Sequence, residues 1–427
     1  MNSDFKKYII FWLSQSVSQL GSAMTGFALI LWAYTQNNSA LTVSLMSFCS
    51  YVPYIIVSLF AGTFVDSHSK KKIMLTADTL AAVCSVCVLL LYLNNGLRIE
   101  HIYLVNCIIG FMNAFQSPAS AVAIGRIVPK EKLANVSGMN SFSSNLTSVL
   151  TPVLAAFLFA LNGLRLILII DLGSFLFAFL VLLLVISVPE TERNAQKKPS
   201  IFAGCKEGFA FLKQNRGILV IILTMALLNF FSRLTYENIL SPMILSRSGN
   251  DSVVLGIVNA VMGIGGIIGG IIVSAGKFSR NHVKMIYVSA AVSFLLGDLL
   301  MGIGRNVILW SIAGLAASLP IPFINAGQNV ILYKKIPDEI QGRVFAVRNA
   351  IQYSTIPIGI LLGGFLADYV FEPYMLSDNP VTSFLHLLVG NGAGSGMAVM
   401  FLCTGICGCI FSCLSYRSRE IQKLRED

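Results

Sequence analysis

Gly62-Thr-Phe-Val-Asp66-Ser-His-Ser-Lys70-Lys71-Lys72 decides the fold. Apolar segments flank it, at 41–65 and 73–93. Each is long enough to cross a bilayer, which takes about 20 residues. The stretch therefore reads as a short loop between two membrane helices. A carboxylate stands at its start and three cations at its end. Gly62 has no side chain, so a neighbouring helix can approach the end of the second span. Asp66, at the membrane surface, can face the positive N-terminus of another helix. Lys70, Lys71 and Lys72 hold the loop on the cytoplasmic side.

Working outward, the 427 residues are 55 % hydrophobic and only 12 % charged. A soluble domain carries about 25 % charged residues. Most of the length must lie in lipid, so an all-α integral membrane protein is expected. Apolar stretches recur at 9–34, 41–65, 73–93, 101–125, 138–161, 165–188, 218–243, 252–276, 283–304, 306–333, 343–371 and 392–415, twelve in all. Residues 189–217 break the series. Pro189, Glu190, Glu192, Arg193, Lys197, Lys198 and Pro199 form a polar linker. From Ser200 to Arg216, Ile201, Phe202, Phe209, Phe211 and Leu212 alternate with Lys206, Glu207 and Lys213, as in an amphipathic helix on a membrane surface. The expected organisation is an N-terminal six-helix half (1–188), a cytoplasmic linker (189–217) and a C-terminal six-helix half (218–427).

The net charge of +10 is topological. With both termini in the cytoplasm, 25 of the 30 basic residues fall on the cytoplasmic side. The other side keeps Arg98, Arg165, Arg247 and Arg305, and Arg233 lies inside a span. No nucleic-acid partner is needed to explain the basic excess. The nine cysteines sit mostly in apolar segments and read as small hydrophobes. Cys403, Cys407, Cys409 and Cys413 share one such segment without His or carboxylate partners, so no metal role is expected. No cleavable signal peptide, nucleotide-binding motif or catalytic triad is read in the chain. Neither enzymatic activity nor a cofactor is expected.

The halves are weakly alike. Gly270-x-x-x-Ser274 with Lys277 and Arg280 stands between spans 8 and 9, where Gly62-x-x-x-Asp66 with Lys70 stands between spans 2 and 3. Pro129-Lys-Glu-Lys132 after span 4 is answered by Pro337-Asp338-Glu339-Ile-Gln341-Gly342-Arg343 after span 10. The Gly62–Lys72 stretch resembles the loop between spans 2 and 3 of major facilitator superfamily transporters, G-x-x-x-D-x-x-G-R-K in outline. Gly62, Asp66, Lys70 and Lys71 fall on its marked positions, with Ser69 at the usual glycine. Gln19-Leu20-Gly21 with Ala28-Leu29, Ser117-Pro118-Ala119, Asp171-x-x-Ser174-Phe175 and Gln341-Gly342-Arg343-Val344 extend the likeness to the macrolide-efflux branch. Span 4 lacks the arginine that drug antiporters often carry, and the span 5 glycine motif is reduced to Thr151-Pro152-x-x-Ala155-Ala156.

The resemblance implies two six-helix halves that rock about a central binding site, with spans 1, 4, 7 and 10 lining the pathway. It implies proton-coupled export of a small amphipathic, drug- or macrolide-like molecule from the plasma membrane. The protein is expected to act as a monomer. Uptake of a nutrient or siderophore, and lipid flipping on the same scaffold, stay open.

Ionisable groups at bilayer depth cost about 2.5–3.5 kcal/mol or more, so each needs a partner or a task. Arg233 and Glu237 are four apart in span 7 and share a helix face. They read either as a cavity-facing pair for substrate or proton, with Asn229 and Tyr236 beside them, or as a structural bridge. Asp171 in span 6 is read as a second proton-coupling candidate or as a cap for polar groups nearby. Asp298 in span 9 has no partner near in sequence, and scaffold is its leading reading. Asp78 is expected to join Gly62, Asp66, Lys70 and Lys71 in a cytoplasmic gate. Asp368 is expected to be structural. Uncharged polar groups mark the expected substrate pathway: Gln15 and Gln19 in span 1, Asn106, Asn113 and Gln116 in span 4, and Asn325, Gln328 and Asn329 in span 10. The glycines from Gly263 to Gly270 are read as helix packing at a moving interface, not as a nucleotide loop.

Overall fold

The computed structural model describes residues 3–127, 133–186, 201–274, 281–337 and 340–424. The polar linker from Pro189 to Pro199 lies outside these residues. So do Lys130, Lys132, Lys277, Arg280, Asp338 and Glu339 of the repeated loop motifs. Among the described residues every regular element is helical. In chain order they are α1 (Ser3–Asn37), α2 (Ala40–Ser67), α3 (Lys70–Leu93), α4 (Ile99–Ile127), α5 (Leu133–Leu184), α6 (Ile201–Gln214), α7 (Arg216–Thr235), α8 (Leu240–Arg247), α9 (Ser252–Ser274), α10 (His282–Val292), α11 (Leu299–Ile303), α12 (Val307–Ser318), α13 (Ile321–Lys335), α14 (Gln341–Leu366), α15 (Glu372–Met375), α16 (Pro380–Val389), α17 (Ser395–Tyr416) and α18 (Arg419–Lys423). π-helical turns at Ser293–Asp298 and Ala367–Phe371 join α10 to α11 and α14 to α15.

Eleven described helical runs are long and apolar enough to span a bilayer. The 52-residue α5 is two of the expected spans in one run. It breaks at Asn162 and Gly163, where Gly163 has φ 59° and ψ −151°. A side chain there would be strained, so glycine makes the turn possible. Splitting α5 gives the twelve spans of the sequence reading. Three tight turns, between spans 1 and 2, 3 and 4, and 7 and 8, carry an asparagine with positive φ: Asn38, Asn95 and Asn250. Asparagine tolerates this left-handed conformation, which ends helices sharply.

Helices suit lipid because they satisfy their own backbone groups. Hydroxyls inside the spans follow the same rule, as when Thr79 Oγ1 donates to Leu75 O at 2.6 Å and Ser58 Oγ to Ile55 O at 2.8 Å. Leu104, Leu184 and Ile308 are more than 60 % exposed, a cost in water but not against acyl chains.

Packing divides the chain into two compact units. The first comprises Met1–Asn38, Leu45–Ala195 and Asp251–Gly256; the second comprises Ser39–Ser44, Gln196–Asn250 and Ile257–Asp427. In the first, Met24, Ala28, Ile102, Leu164 and Leu168 build one core, and Phe11, Val65, Met74, Ala123 and Leu182 another. In the second, Ile221, Met225, Ile286 and Phe294 build one core. The α6 helix docks Leu212 into the other, with Ile218, Ile222, Leu332 and Val344, while Phe209 stays exposed. The amphipathic segment is therefore partly a packed element of its unit.

Two expectations change. The opening stretch is almost all helix: α2 runs through Gly62 and Asp66 to Ser67, and α3 starts at Lys70. The loop shrinks to His68 and Ser69 because few residues are needed to reverse two antiparallel spans. Beyond span 11, α16 is an unexpected short helix. Asn379 caps it, accepting from the Val381 and Thr382 backbone N–H groups at 3.0 Å each, and Thr382 Oγ1 accepts from Asn379 N at 3.1 Å.

Candidate functional site

The second unit holds a partly open cavity of about 360 Å³. Its polar lining is Asn229, Arg233 and Tyr236 of span 7, Ser293 and Asp298 of span 9, and Asn325 of span 10. Met225, Leu228, Phe294 and Ile321 contribute to its apolar wall. Span 7 loosens here without breaking: between α7, which stops at Thr235, and α8, which starts at Leu240, Ile239 N still donates to Thr235 O at 2.9 Å. Arg233 pairs with Glu237 one turn on, and both are part-buried. The guanidinium lines the cavity; Glu237 is its partner on the same face, outside the lining.

Asp298 ends the π-helical turn of span 9 and is 1 % exposed. A π-turn inserts an extra residue into a helix and re-aims the side chains that follow. Thr404 Oγ1 of span 12 donates to Asp298 Oδ2 at 2.7 Å. The Tyr236 hydroxyl is buried, makes no hydrogen bond of regular geometry, and faces the same carboxyl. Small residues let the spans close on this point. A Cβ at Gly297 would stand 2.6 Å from Ala317 Cβ of span 10, and one at Gly405 would stand 3.0 Å from Asp298 Cβ. Tyr236 is also fixed edge-on against Phe401, with ring centroids 5.2 Å apart.

In the first unit, Asp171 is 4 % exposed. Its Oδ1 accepts from Ser22 Oγ at 3.0 Å, and its Oδ2 from Thr25 Oγ1 at 3.1 Å and Ser85 Oγ at 3.0 Å. The donors belong to spans 1 and 3. Gly21 lets span 1 approach, since a Cβ there would lie 3.2 Å from both Asp171 Cα and Oδ1. Three hydroxyls fill most of the carboxylate's roughly four acceptor sites, which favours the capping reading of this residue.

The other sequence candidates scatter. Asn106 Nδ2 donates to Met46 O at 3.1 Å and ties span 4 to span 2. Gln116 Nε2 donates to Asp78 Oδ1, so Asp78 is held by span 4 instead of by the basic loop. The spacing put Asp78 near that loop along the chain, but helix rotation turns it to its neighbour. Gln15 buries an Nε2 without a hydrogen-bond partner, and Gln19 and Asn113 are exposed. Gln328 buries its Nε2 unpartnered, while Asn329 Oδ1 accepts from Arg348 Nη1 at 3.2 Å. Neither lines the cavity that holds Asn325. Lys70 Nζ donates to His68 O at 3.0 Å; Lys71 Nζ donates to Leu183 O at 2.9 Å and Ile186 O at 2.7 Å, closing the end of span 6. Gly62 and Asp66 lie near the end of α2, and Gln341, Gly342 and Arg343 open α14. Asp368 caps α2: its carboxylate accepts from Ser39 Oγ at 2.6 Å, Ala40 N at 3.1 Å and Leu41 N at 2.9 Å. The span 8 glycines pack within the second unit, where Gly265 and Gly269 press on span 10 at Leu315, Ser318, Leu319 and Pro322.

No group of three or more potential metal ligands occurs among the described residues. Sequence reasoning ranked Asp298 low, although Gly297-Asp298 in mid-span was the available signal. The π-turn that brings it to the cavity leaves no mark in the residue pattern.

The family model for the Major Facilitator Superfamily matches residues 11–360. Macrolide efflux protein A of Streptococcus pyogenes is 26 % identical over 371 residues, 85 % of this chain and 90 % of that protein. The staphyloferrin A transporter of Staphylococcus aureus is 21 % identical over 364 residues, 84 % of this chain and 89 % of that protein. Among solved structures, the nucleoside transporter NupG superposes with a TM-score of 0.69 at 14 % identity, covering 98 % of this chain and 100 % of that one.

Proposed function

We propose, from the premise that this chain belongs to the major facilitator superfamily, that it exports a small amphipathic molecule of drug or macrolide type. Transport proceeds by alternating access, and an inward-moving proton drives it. The observation that carries this reading is the lining of the second unit's cavity. An apolar wall with a few convergent polar groups is what a ligand with one apolar and one polar face requires. Asn229, Arg233, Tyr236 and Asn325 supply the polar side. The similarity to a macrolide efflux protein supports the same substrate class and direction. Of the expected binding residues, these four are retained in the proposed cavity, with Glu237 holding Arg233 in place.

The test is accumulation of labelled erythromycin in cells that express the chain, against cells with an empty vector. Lower accumulation, restored by a protonophore, supports export. Equal accumulation across a panel of amphipathic drugs overturns it. A second reading, uptake of an anionic chelate such as a siderophore, is favoured by the cavity-lining Arg233. It predicts higher accumulation of a labelled ferric carboxylate chelate in expressing cells.

A further inference from the structure

We infer that the Asp298 carboxyl, held by Thr404 and faced by Tyr236 at the wall of the second unit's cavity, is a proton-binding site. The inference deepens the transport reading and rests on it only for how the bound proton is used.

Three observations converge on this carboxyl. It is 1 % exposed yet borders a space of about 360 Å³, so a small ion can reach it while bulk water cannot surround it. It sits at the end of a π-turn, a feature found often at functional sites. The buried hydroxyl of Tyr236 faces it as a second potential donor, outside regular hydrogen-bond geometry, beside the one regular bond from Thr404. Asp171 differs on the last point, since its two oxygens already accept from three hydroxyls.

The proton balance is simple. A proton entering from the cavity forms an O–H bond on one carboxyl oxygen. Thr404 continues to donate to the other, and the new O–H donates toward Tyr236 or cavity water. On release, the same bond breaks and both hydroxyls can donate to the anion. A metal cation would need several oxygen ligands, and only one carboxylate is present here.

The charged and titratable groups around Asp298 are few. Span 7 presents Tyr236 and Arg233, with Glu237 paired to Arg233. The α12 helix has no titratable side chain, and α11 has none. On α10, Tyr287 is hydrogen-bonded to Thr224 at 2.6 Å. On α17, Cys403 and Cys407 are exposed and outside the cavity lining.

The experiment is pH-difference infrared spectroscopy on the full chain reconstituted in lipid vesicles without substrate. Wild type should show a protonated-carboxyl C=O band that appears on acidification. Asp298→Asn should lose it and Asp298→Glu should keep it at a moved frequency. Thr404→Val and Tyr236→Phe should move its frequency or midpoint, which a merely structural role would not do. A band of full amplitude in Asp298→Asn overturns the proposal. So does a wild-type band that answers to sodium at fixed pH, which would mark a metal-cation site. If Asp298→Asn does not fold, an unmoved band in both Thr404→Val and Tyr236→Phe overturns it instead. The coupling arm uses labelled erythromycin: Asp298→Asn should lose gradient-driven accumulation about tenfold or more while keeping substrate exchange. Wild type that titrates at Asp298 but never moves erythromycin would leave the proton site standing and remove the macrolide reading alone.

Discussion

Asp171 offers the sharpest contrast between a carboxylate that works and one that holds helices together. Its three hydroxyl donors come from spans 1 and 3. Asp171→Ala deletes all three interhelical bonds. Between membrane helices such bonds average about 0.6 kcal/mol and reach about 1.7 kcal/mol, so the loss is about 2–5 kcal/mol. Asp171→Asn keeps the shape; its Oδ1 accepts as before, and its amide N–H can donate to a hydroxyl oxygen once that hydroxyl turns to its own helix. The cost should be about 1 kcal/mol or less. For a domain of this unit's size, 1 kcal/mol shifts Tm by roughly 2–4 °C. Thermal unfolding of the purified protein should therefore show Tm lowered by roughly 4–20 °C in the alanine variant and by less than about 4 °C in the asparagine variant. The asparagine variant should also retain gradient-driven transport. If it unfolds as readily as alanine, or folds normally and loses coupling, the charge itself is being used and the clamp argument fails.

Other substitutions probe independent features. A Cβ at Gly110 would collide with the Ser50 carbonyl oxygen, whereas Gly26 has nothing within 4 Å of its Cβ position; Gly110→Val should abolish monodisperse expression in size-exclusion chromatography and Gly26→Ala should leave it intact. Asp368→Ala removes three bonds at the start of α2 and should cost about 1–2 kcal/mol of stability, read as a lower Tm, with Asp368→Asn costing less. If both termini are cytoplasmic, a cysteine placed at position 216 should resist an impermeant thiol reagent added outside intact cells and one at position 36 should react; the reverse pattern would reject the topology.

Much of this architecture was legible because lipid imposes a strong rule on composition. Twelve apolar stretches and the alternation of basic residues led to the fold, and even the break at Asn162–Gly163 fell between two expected spans. What stayed hidden depends on helix rotation and on local irregularity. Asn106 and Asn229 look alike in sequence; one is turned to the Met46 carbonyl, the other to a cavity. Gln116 was expected to face a ligand and instead holds Asp78. Arg233 and Glu237 were readable as a pair because their i, i+4 spacing suffices. Asp298 was not, since its partners Tyr236 and Thr404 are 62 and 106 positions away.

The two buried carboxylates also bear on how one fold divides its tasks. In the first unit, an acid on span 6 collects donors from spans 1 and 3. In the second, an acid on span 9 meets groups on spans 7 and 12. If the halves are repeats, spans 1, 3 and 6 correspond to spans 7, 9 and 12, so each carboxylate joins the same set of three helices. The acid has moved from the sixth position of the repeat to the third. In the first unit all the donors point inward and the junction is closed. In the second, span 7 loosens after Thr235, span 9 carries a π-turn, and the junction opens on a cavity with Arg233 in its wall. A junction with three donors on one carboxylate resists change because every donor would lose its partner at once. One with a single regular donor, a facing hydroxyl and an adjoining space can gain or lose a proton while its helices stay packed. If Asp298 binds the proton as proposed, the chemistry that responds to a gradient belongs to the second unit, and the Asp171 junction of the first holds its helices together.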